Sequence, residues 1–275
     1  MSIRINSNSA AIAARRYITK NERDAEQALR AIASGKRIVS AKDDAAGFAI
    51  SESLRGQQKG VNQSMKNVRM AQSMIQTAEG NLNEQNNILI RLRELGVSSA
   101  SDTIGDNERA FINKEATQLI AEFDRISQTA RFGSKQLLNG SGEEFTYQVG
   151  PFKGPENTIG FKLEADTSAT AVGIDSVDLS DQDLALDALE IIDEAVLKIA
   201  DARSTFGAVQ SRFQYTYDVL GVQDENLDAA VSTIADADIA EEVSKLTKAQ
   251  ILQDAGIMVL AQANQNTNGL QRLLS

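Results

Sequence analysis

The chain has 275 residues, 42% of them apolar but only 5% aromatic, and it contains no tryptophan, cysteine or histidine. Those absences exclude disulfides, Cys/His zinc sites and Ser-His-Asp triads, and the scarcity of rings favours helix packing through Leu, Ile, Val and Ala over a ring-lined ligand cavity. A formal charge of −10 argues against general nucleic-acid binding.

The charge is uneven. Residues 1–42 carry nine Lys/Arg against Glu22, Asp24 and Glu26, whereas residues 175–201 carry nine acids and only Lys198. A basic leading arm suits a membrane surface, a nucleic acid or an acidic partner surface, and its Ala and Ile at helical spacing favour the last. There is no secretory apolar core near the start and no apolar stretch of about 18 residues, so neither general-pathway export nor a membrane span is expected. Export by another route stays open. Within the arm, Ile12, Ala13, Tyr17, Ala25, Ala28, Leu29 and Ile32 form a small, mostly apolar face, marginal for an isolated helix.

The arm ends at Ser40-Ala-Lys-Asp-Asp, just before a long apolar-periodic run. Adjacent carboxylates point in different directions on a helix, so Asp43 and Asp44 do not make an acid/base pair. No spacing supplies the further carboxylates a magnesium ion would need. Ser40, Asp43, Asp44 and Gly47 are therefore read as the cap and hinge of a helix start.

From Asp44 to Leu95, Leu54, Val61, Val68, Ile75, Leu82 and Leu89 recur every seven residues. Ala71, Ala78 and Leu92 sit at the companion position three residues on, with Gln57, Ser64 and Gln85 at others, so the seam is not a simple two-stranded zipper. Such a run spans roughly 80 Å and needs a partner of matching length. The charged stretch at Arg91–Leu95 is either a solvated helix face or a partner-binding patch, with Arg91 and Glu94 spaced for an i,i+3 pair. A shorter amphipathic segment, 107–128, follows, with Phe111, Ala116, Leu119, Ile120, Phe123 and Ile126 on one side. Residues 140–173 hold both prolines and six of the eighteen glycines, and read as turns and alternating strands through Phe145, Tyr147 and Val149, then Ile159, Phe161 and Leu163.

The second seam is Ile192, Ile199, Phe206, Phe213, Leu220, Leu227 and Ile234, with Leu189, Val196, Tyr217 and Val231 between them. The last segment carries Val243, Leu246, Ile251, Leu252, Ile257, Val259 and Leu260 on an alanine-rich face. The two ends either pair within one chain or are buried by neighbouring subunits, and their shallow faces favour the neighbours. The expected fold is mainly α: an elongated antiparallel bundle, or coiled coil, of long helices with a small β-hairpin region near 140–175. The expected division is 1–43, 44–235 and 236–275. Of self-assembly, a soluble coiled-coil adaptor and an enzyme, the residues favour self-assembly. No catalytic, cofactor or metal site is expected.

Several long motifs now carry a resemblance. ASGKRIVSAKDDAAGFAISESLR (33–55), IRLRELGVSSAS (90–101), EFDRISQTARFGSKQLLNG (122–140), FGAVQSRF (206–213) and IADADIAEEVSKLTKAQILQDAGIMVLAQANQ (234–265) resemble the signatures of bacterial flagellin. The resemblance covers nearly all of 1–140 and 185–275, and with so short a middle it is to a minimal form lacking large outer domains. It implies a subunit that polymerises into the tubular flagellar filament and transmits motor rotation as thrust, with a hook-filament junction protein as the alternative. It implies a secreted location, export through the flagellum's own type III apparatus, a chaperone on the C-terminal segment, and filament cap and hook-junction proteins as partners. It also maps the surface read by a Toll-like receptor onto Arg91, Leu95 and Glu115. Ile90 and Ser98 stand where the strongly recognised pattern has glutamines, so weak recognition is expected.

Overall fold

The computed structural model describes residues 8–140, 142–162 and 165–274, with side chains as far as Gln265. Proline is confined to 151 and 155, and without that breaker elsewhere the chain is mainly helical. The helices are α1 (Ser9–Ser34), α2 (Ala45–Ser99), α3 (Asp106–Thr129), α4 (Ala169–Val172), α5 (Gln182–Ala235) and α6 (Ile239–Leu274). Between α3 and α4 lie two antiparallel hairpins, β1 (Arg131–Phe132) with β2 (Lys135–Gln136), and β3 (Glu144–Gln148) with β4 (Thr158–Lys162). Among the described residues no helix is long and apolar enough to cross a membrane.

The chain forms two compact units, one built from the chain up to Gln58 and from Glu225 onward, the other from Lys59–Asp224. The divisions fall inside α2 and α5. The expected boundaries at 43/44 and 235/236 instead mark where those helices begin and end.

In the Lys59–Asp224 unit the two heptad seams meet. Val61, Val68, Ile75, Leu82 and Leu89 of α2 are buried, as are Ile192, Ile199, Phe206, Phe213 and Leu220 of α5. Polar pairs flank the seam: Asn62 to Asp224 at 2.7 Å, Gln72 to Gln214 at 3.1 Å and Arg93 to Asp193 at 2.8 Å. The ten-residue advance from Asn62 to Gln72 is matched by a ten-residue retreat from Asp224 to Gln214, so the helices run antiparallel without slipping register. The buried companion positions of α5 are Ala188 and Ala195, whereas Leu189 and Val196 are only half-buried. The alanines face inward and the bulkier neighbours flank them, the reverse of what size alone suggests.

The side-chain donors of Ser64 and Gln85 in the α2 seam have partners, while Gln85 Oε1 is buried without one. The Ser64 hydroxyl donates to the Gly60 carbonyl at 3.0 Å. The Gln85 amide donates to the carbonyls of Phe123 and Thr167 at 3.2 and 3.1 Å, tying α2 to α3 and to the segment before α4. A glutamine inside a seam thus marks where further elements join it. On α3, Ala116 and Phe123 are buried but Phe111 is largely exposed, correcting its expected place in the core. The inward heptad position before Ala116 is Arg109, whose guanidinium donates to the carbonyls of Ser99 and Ser101 at 2.9 and 3.1 Å. Ser99 is the last residue of α2, where helix carbonyls run out of intrahelical donors, and the Ser101 carbonyl in the turn that follows also accepts from the Ile104 N–H at 3.2 Å. The β3–β4 register pairs Phe145 with Phe161 and Tyr147 with Ile159. The rings of Tyr147 and Phe161 meet Phe213 edge-on at 5.8 and 6.2 Å, which seats the hairpin on α5. Leu163 lies outside the described residues.

Because Phe213 joins the helix seam and the hairpin, Phe213→Ala is expected to cost about 3–5 kcal/mol in urea unfolding. Ile234→Ala, at a half-buried seam position, should cost less than half as much.

Candidate assembly surface

In the unit built from both chain ends, α1 and α6 pack antiparallel along each other. The Asn8 amide donates to the Ala263 carbonyl at 3.1 Å near one end, and Gln253 reaches Glu22 at 3.4 Å midway. The chain ends therefore do pair within one chain. The contact is thin, however. The buried residues of α1 are Ala14, Ala28 and Ala31, and among the described side chains of α6 the buried apolar residues are Ala249 and Ala263. Close approach depends on Gly256, where a Cβ would lie 2.8 Å from Ile18 Cγ1. Three buried methyl groups on α1 are together worth about 2–3 kcal/mol, roughly one buried leucine.

Ile18 and Ile32 of α1 and Leu246 and Leu260 of α6 are half-buried, but other larger apolar side chains point elsewhere. Tyr17 is 67% exposed on α1, while Ile251 is 63% and Met258 71% exposed on α6. Ile251, Ala255 and Met258 repeat at helical spacing on the side of α6 opposite Ala249, Gly256 and Ala263. They form a stripe that α1 does not cover. The seam residues that fall in this unit follow the same trend: Leu54, Leu227 and Ile234 are only half-buried.

The junctions at 35–44 and 235–238 hold these helices to the ends of α2 and α5. The Arg37 N–H donates to the Ala235 carbonyl at 2.8 Å and the Ala237 N–H to the Gly35 carbonyl at 3.0 Å, around a bridge between Lys36 and Asp236. Two adjacent aspartates then divide the work. Asp43 Oδ2 accepts from the Ser40 N–H and the Ser40 hydroxyl, both at 3.0 Å, and from the Val39 N–H at 3.3 Å, closing the turn. Asp44 Oδ1 accepts from the N–H groups of Ala46 and Gly47 at 3.1 and 3.0 Å, and so caps α2. At Gly47 a Cβ would come within 2.5 Å of the Asp44 carboxylate and 2.7 Å of Ile38, a buried residue of the junction. A larger residue there would force the Asp44 cap or the Ile38 side chain to shift. The bonds from Ser40, backbone first and hydroxyl second, hold the Asp43 carboxyl below its ordinary value.

Sequence reasoning missed Asp238, whose Oδ1 accepts from Ala240 N–H at 2.8 Å and Glu241 N–H at 3.2 Å to cap α6. An aspartate directly before an apolar-periodic run was the available signal. Glu242, 8% exposed on the first turn of α6, is paired by Lys245 Nζ at 2.7 Å, and the bonds to Glu242 and then Glu241 raise the lysine's pKa.

A second patch lies within the Lys59–Asp224 unit. Arg91 donates to Glu115 through Nε and Nη2 at 2.9 and 2.8 Å, and through Nη1 to Glu94 at 3.0 Å. Arg91 and Glu115 are exposed, as are Ile90 and Ser98. Leu95 is buried, so its side chain serves the unit's interior and not the outer surface. Among the described residues no cluster of carboxylates suited to a metal ion is present.

The family model described as the bacterial flagellin N-terminal helical region matches residues 5–143, and that of the bacterial flagellin C-terminal helical region matches residues 189–274. A flagellin of Halalkalibacterium halodurans is 38% identical over 98% of this chain and 99% of its own length. A flagellar filament 33 kDa core protein of Treponema phagedenis is 36% identical over 98% of this chain and 99% of its own. Among solved structures, the flagellin of Bacillus cereus matches with a TM-score of 0.50 at 24% identity, over 60% of this chain and 94% of that one. A putative flagellar hook-associated protein from Vibrio parahaemolyticus matches with a TM-score of 0.61 at 12% identity, over 70% and 100%, a likeness of fold alone.

The division between the aspartates is open to test. Asp44→Ala should cost about 1 kcal/mol, as loss of a helix cap does. The Asp43 contribution, from a carboxyl whose folded pKa is depressed, is present above the ordinary value of 3.8 and lost as pH falls through the folded value. Carboxyl-resolved NMR titration should place Asp43 below that value, and Asp43→Asn should remove this part of the acid dependence of stability.

Proposed function

This chain belongs to the bacterial flagellin family, and on that footing we propose that it polymerises into a helical, tubular filament that carries motor rotation as thrust. The observation that carries the reading is the uncovered stripe through Ile251 and Met258 on α6, beside an α1 whose fully buried residues are all alanines. A neighbouring copy can bury that stripe, and head-to-tail contacts between identical subunits repeat indefinitely when their rotation does not close a ring. A soluble adaptor would have no physical reason to keep such a surface. Relatives matched over almost their whole length that are named flagellin or filament core protein favour a filament subunit over a junction protein.

The accompanying route follows from the same reading. The subunit is secreted through the flagellum's own export apparatus. A chaperone covers the C-terminal segment, 236–275, before export, and the filament cap and hook-junction proteins meet the assembled polymer. Cysteine-free composition suits passage of an unfolded chain, since no disulfide can form on the way. The Arg91–Glu115 patch serves as a weak receptor surface, because an arginine held by two carboxylates must give up those bonds to a partner.

Two measurements test this reading. Purified chain added to short filament seeds should elongate them, and Ile251→Glu, on an exposed position that leaves the 59–224 unit untouched, should not. Seeds that wild-type chain never extends would overturn polymerisation. In receptor-reporter cells, free subunit should signal weakly, and Arg91→Ala should reduce the signal about tenfold, as loss of an interface arginine does. An unchanged signal would show that this patch is not read.

A further inference from the structure

We propose that Met258 is an oxidation site that decides whether a free subunit can enter the polymer: peroxide converts its thioether to a sulfoxide, and the oxidised subunit fails to add. The inference rests on the polymerising role proposed above. It starts from the contrast among the described methionines. Met74 is 2% exposed, and its sulfur accepts the Tyr147 hydroxyl at 3.2 Å inside the aromatic cluster, so it is shielded. Met65 is half-buried. Met70 is exposed on α2, and Met258 is the most exposed large apolar side chain among those described on α6. Susceptibility to oxidation follows exposure, so Met70 and Met258 react first.

Their consequences differ. Met258 lies on the α6 stripe with Ile251 and Ala255, which α1 leaves uncovered. An unbranched, polarizable thioether adapts to an apolar partner surface. A sulfoxide in its place brings a strong acceptor into a contact with no donor to meet it, and burying an unmatched polar group is unfavourable. The reaction needs no group from the protein. One oxygen of hydrogen peroxide transfers to sulfur as the O–O bond breaks and an S–O bond forms. Sulfur loses two electrons, and the remaining oxygen leaves as water after taking up the transferred proton. Once a subunit has been incorporated the thioether is covered, so the sensitivity belongs to the unassembled chain.

The test compares full-length wild type, Met258→Leu and Met70→Leu after hydrogen peroxide treatment, with sulfoxide at each methionine quantified by mass spectrometry and seed elongation measured alongside. Wild type and Met70→Leu should lose elongation about tenfold or more as Met258 converts, the effect of one unmatched buried polar group. Met258→Leu, measured against its own untreated rate, should change by less than about twofold on treatment, since leucine has no sulfur to oxidise. Methionine sulfoxide reductases for both epimers, with dithiothreitol, should restore the oxidised wild type. Chain with Met258 fully converted that elongates seeds at the untreated rate would overturn this inference and leave polymerisation standing. Equal inhibition of treated Met258→Leu would also overturn it. Untreated chain that cannot elongate seeds would overturn polymerisation and this inference together.

Discussion

A helix of 55 residues cannot cover its own apolar stripe, and everything else in the chain follows from how that stripe is met. α5, at 54 residues, carries the matching heptads, and the two run antiparallel with polar pairs that hold one register from Asn62–Asp224 to Arg93–Asp193. The seam is not uniform. Where α3 and the segment before α4 join it, a glutamine replaces an apolar residue and donates to both. Where the β3–β4 hairpin joins it, Phe213 serves helix and hairpin together.

Burial is graded along the same two helices. Seam residues between Lys59 and Asp224 are fully buried, whereas Leu54, Leu227 and Ile234 are half-buried, and the fully buried apolar side chains of α1 and of the described part of α6 are alanines. The gradient has a physical use. A full core can hold a unit together by itself, while helices whose fully buried apolar side chains are alanines can still gain burial from outside. Replacing those alanines by larger residues would satisfy the chain ends internally and leave less to drive association. The junctions keep the ends in place without a core: Asp43 closes the turn, Asp44 and Asp238 cap the helices, and backbone bonds link Gly35 and Arg37 to Ala237 and Ala235.

Much of this was legible in the sequence because the period of seven is a property of side chains alone. Long helices, their partnership and the hairpin region near Phe145 and Phe161 follow from spacing and from where proline falls. What was not legible depends on rotation about a helix axis by less than one residue. Ala188 and Ala195 face inward instead of Leu189 and Val196, and Arg109 takes the heptad position that Phe111 was expected to serve from nearby. An arginine there looks misplaced until the carbonyls of Ser99 and Ser101 that it meets are in view. Leu95 shows the same limit at the surface, since adjacency to Arg91 and Glu94 in sequence says nothing of which side it faces. The shallow, alanine-rich character of both ends was plain from composition, but composition could not tell pairing within the chain from burial by neighbours. The α1–α6 contact shows the pairing within the chain, and the stripe it leaves open is where the proposed burial by neighbours would fall.

The claim that neighbouring copies complete the burial of the chain ends is tested most directly by an electron cryomicroscopy reconstruction of the polymer at side-chain detail. The account predicts that Tyr17, Ile251 and Met258 each lie within about 4.5 Å of apolar atoms from another copy, the distance at which apolar side chains are in contact. A polymer in which those three side chains face open solvent, with its subunit contacts made elsewhere, would contradict it.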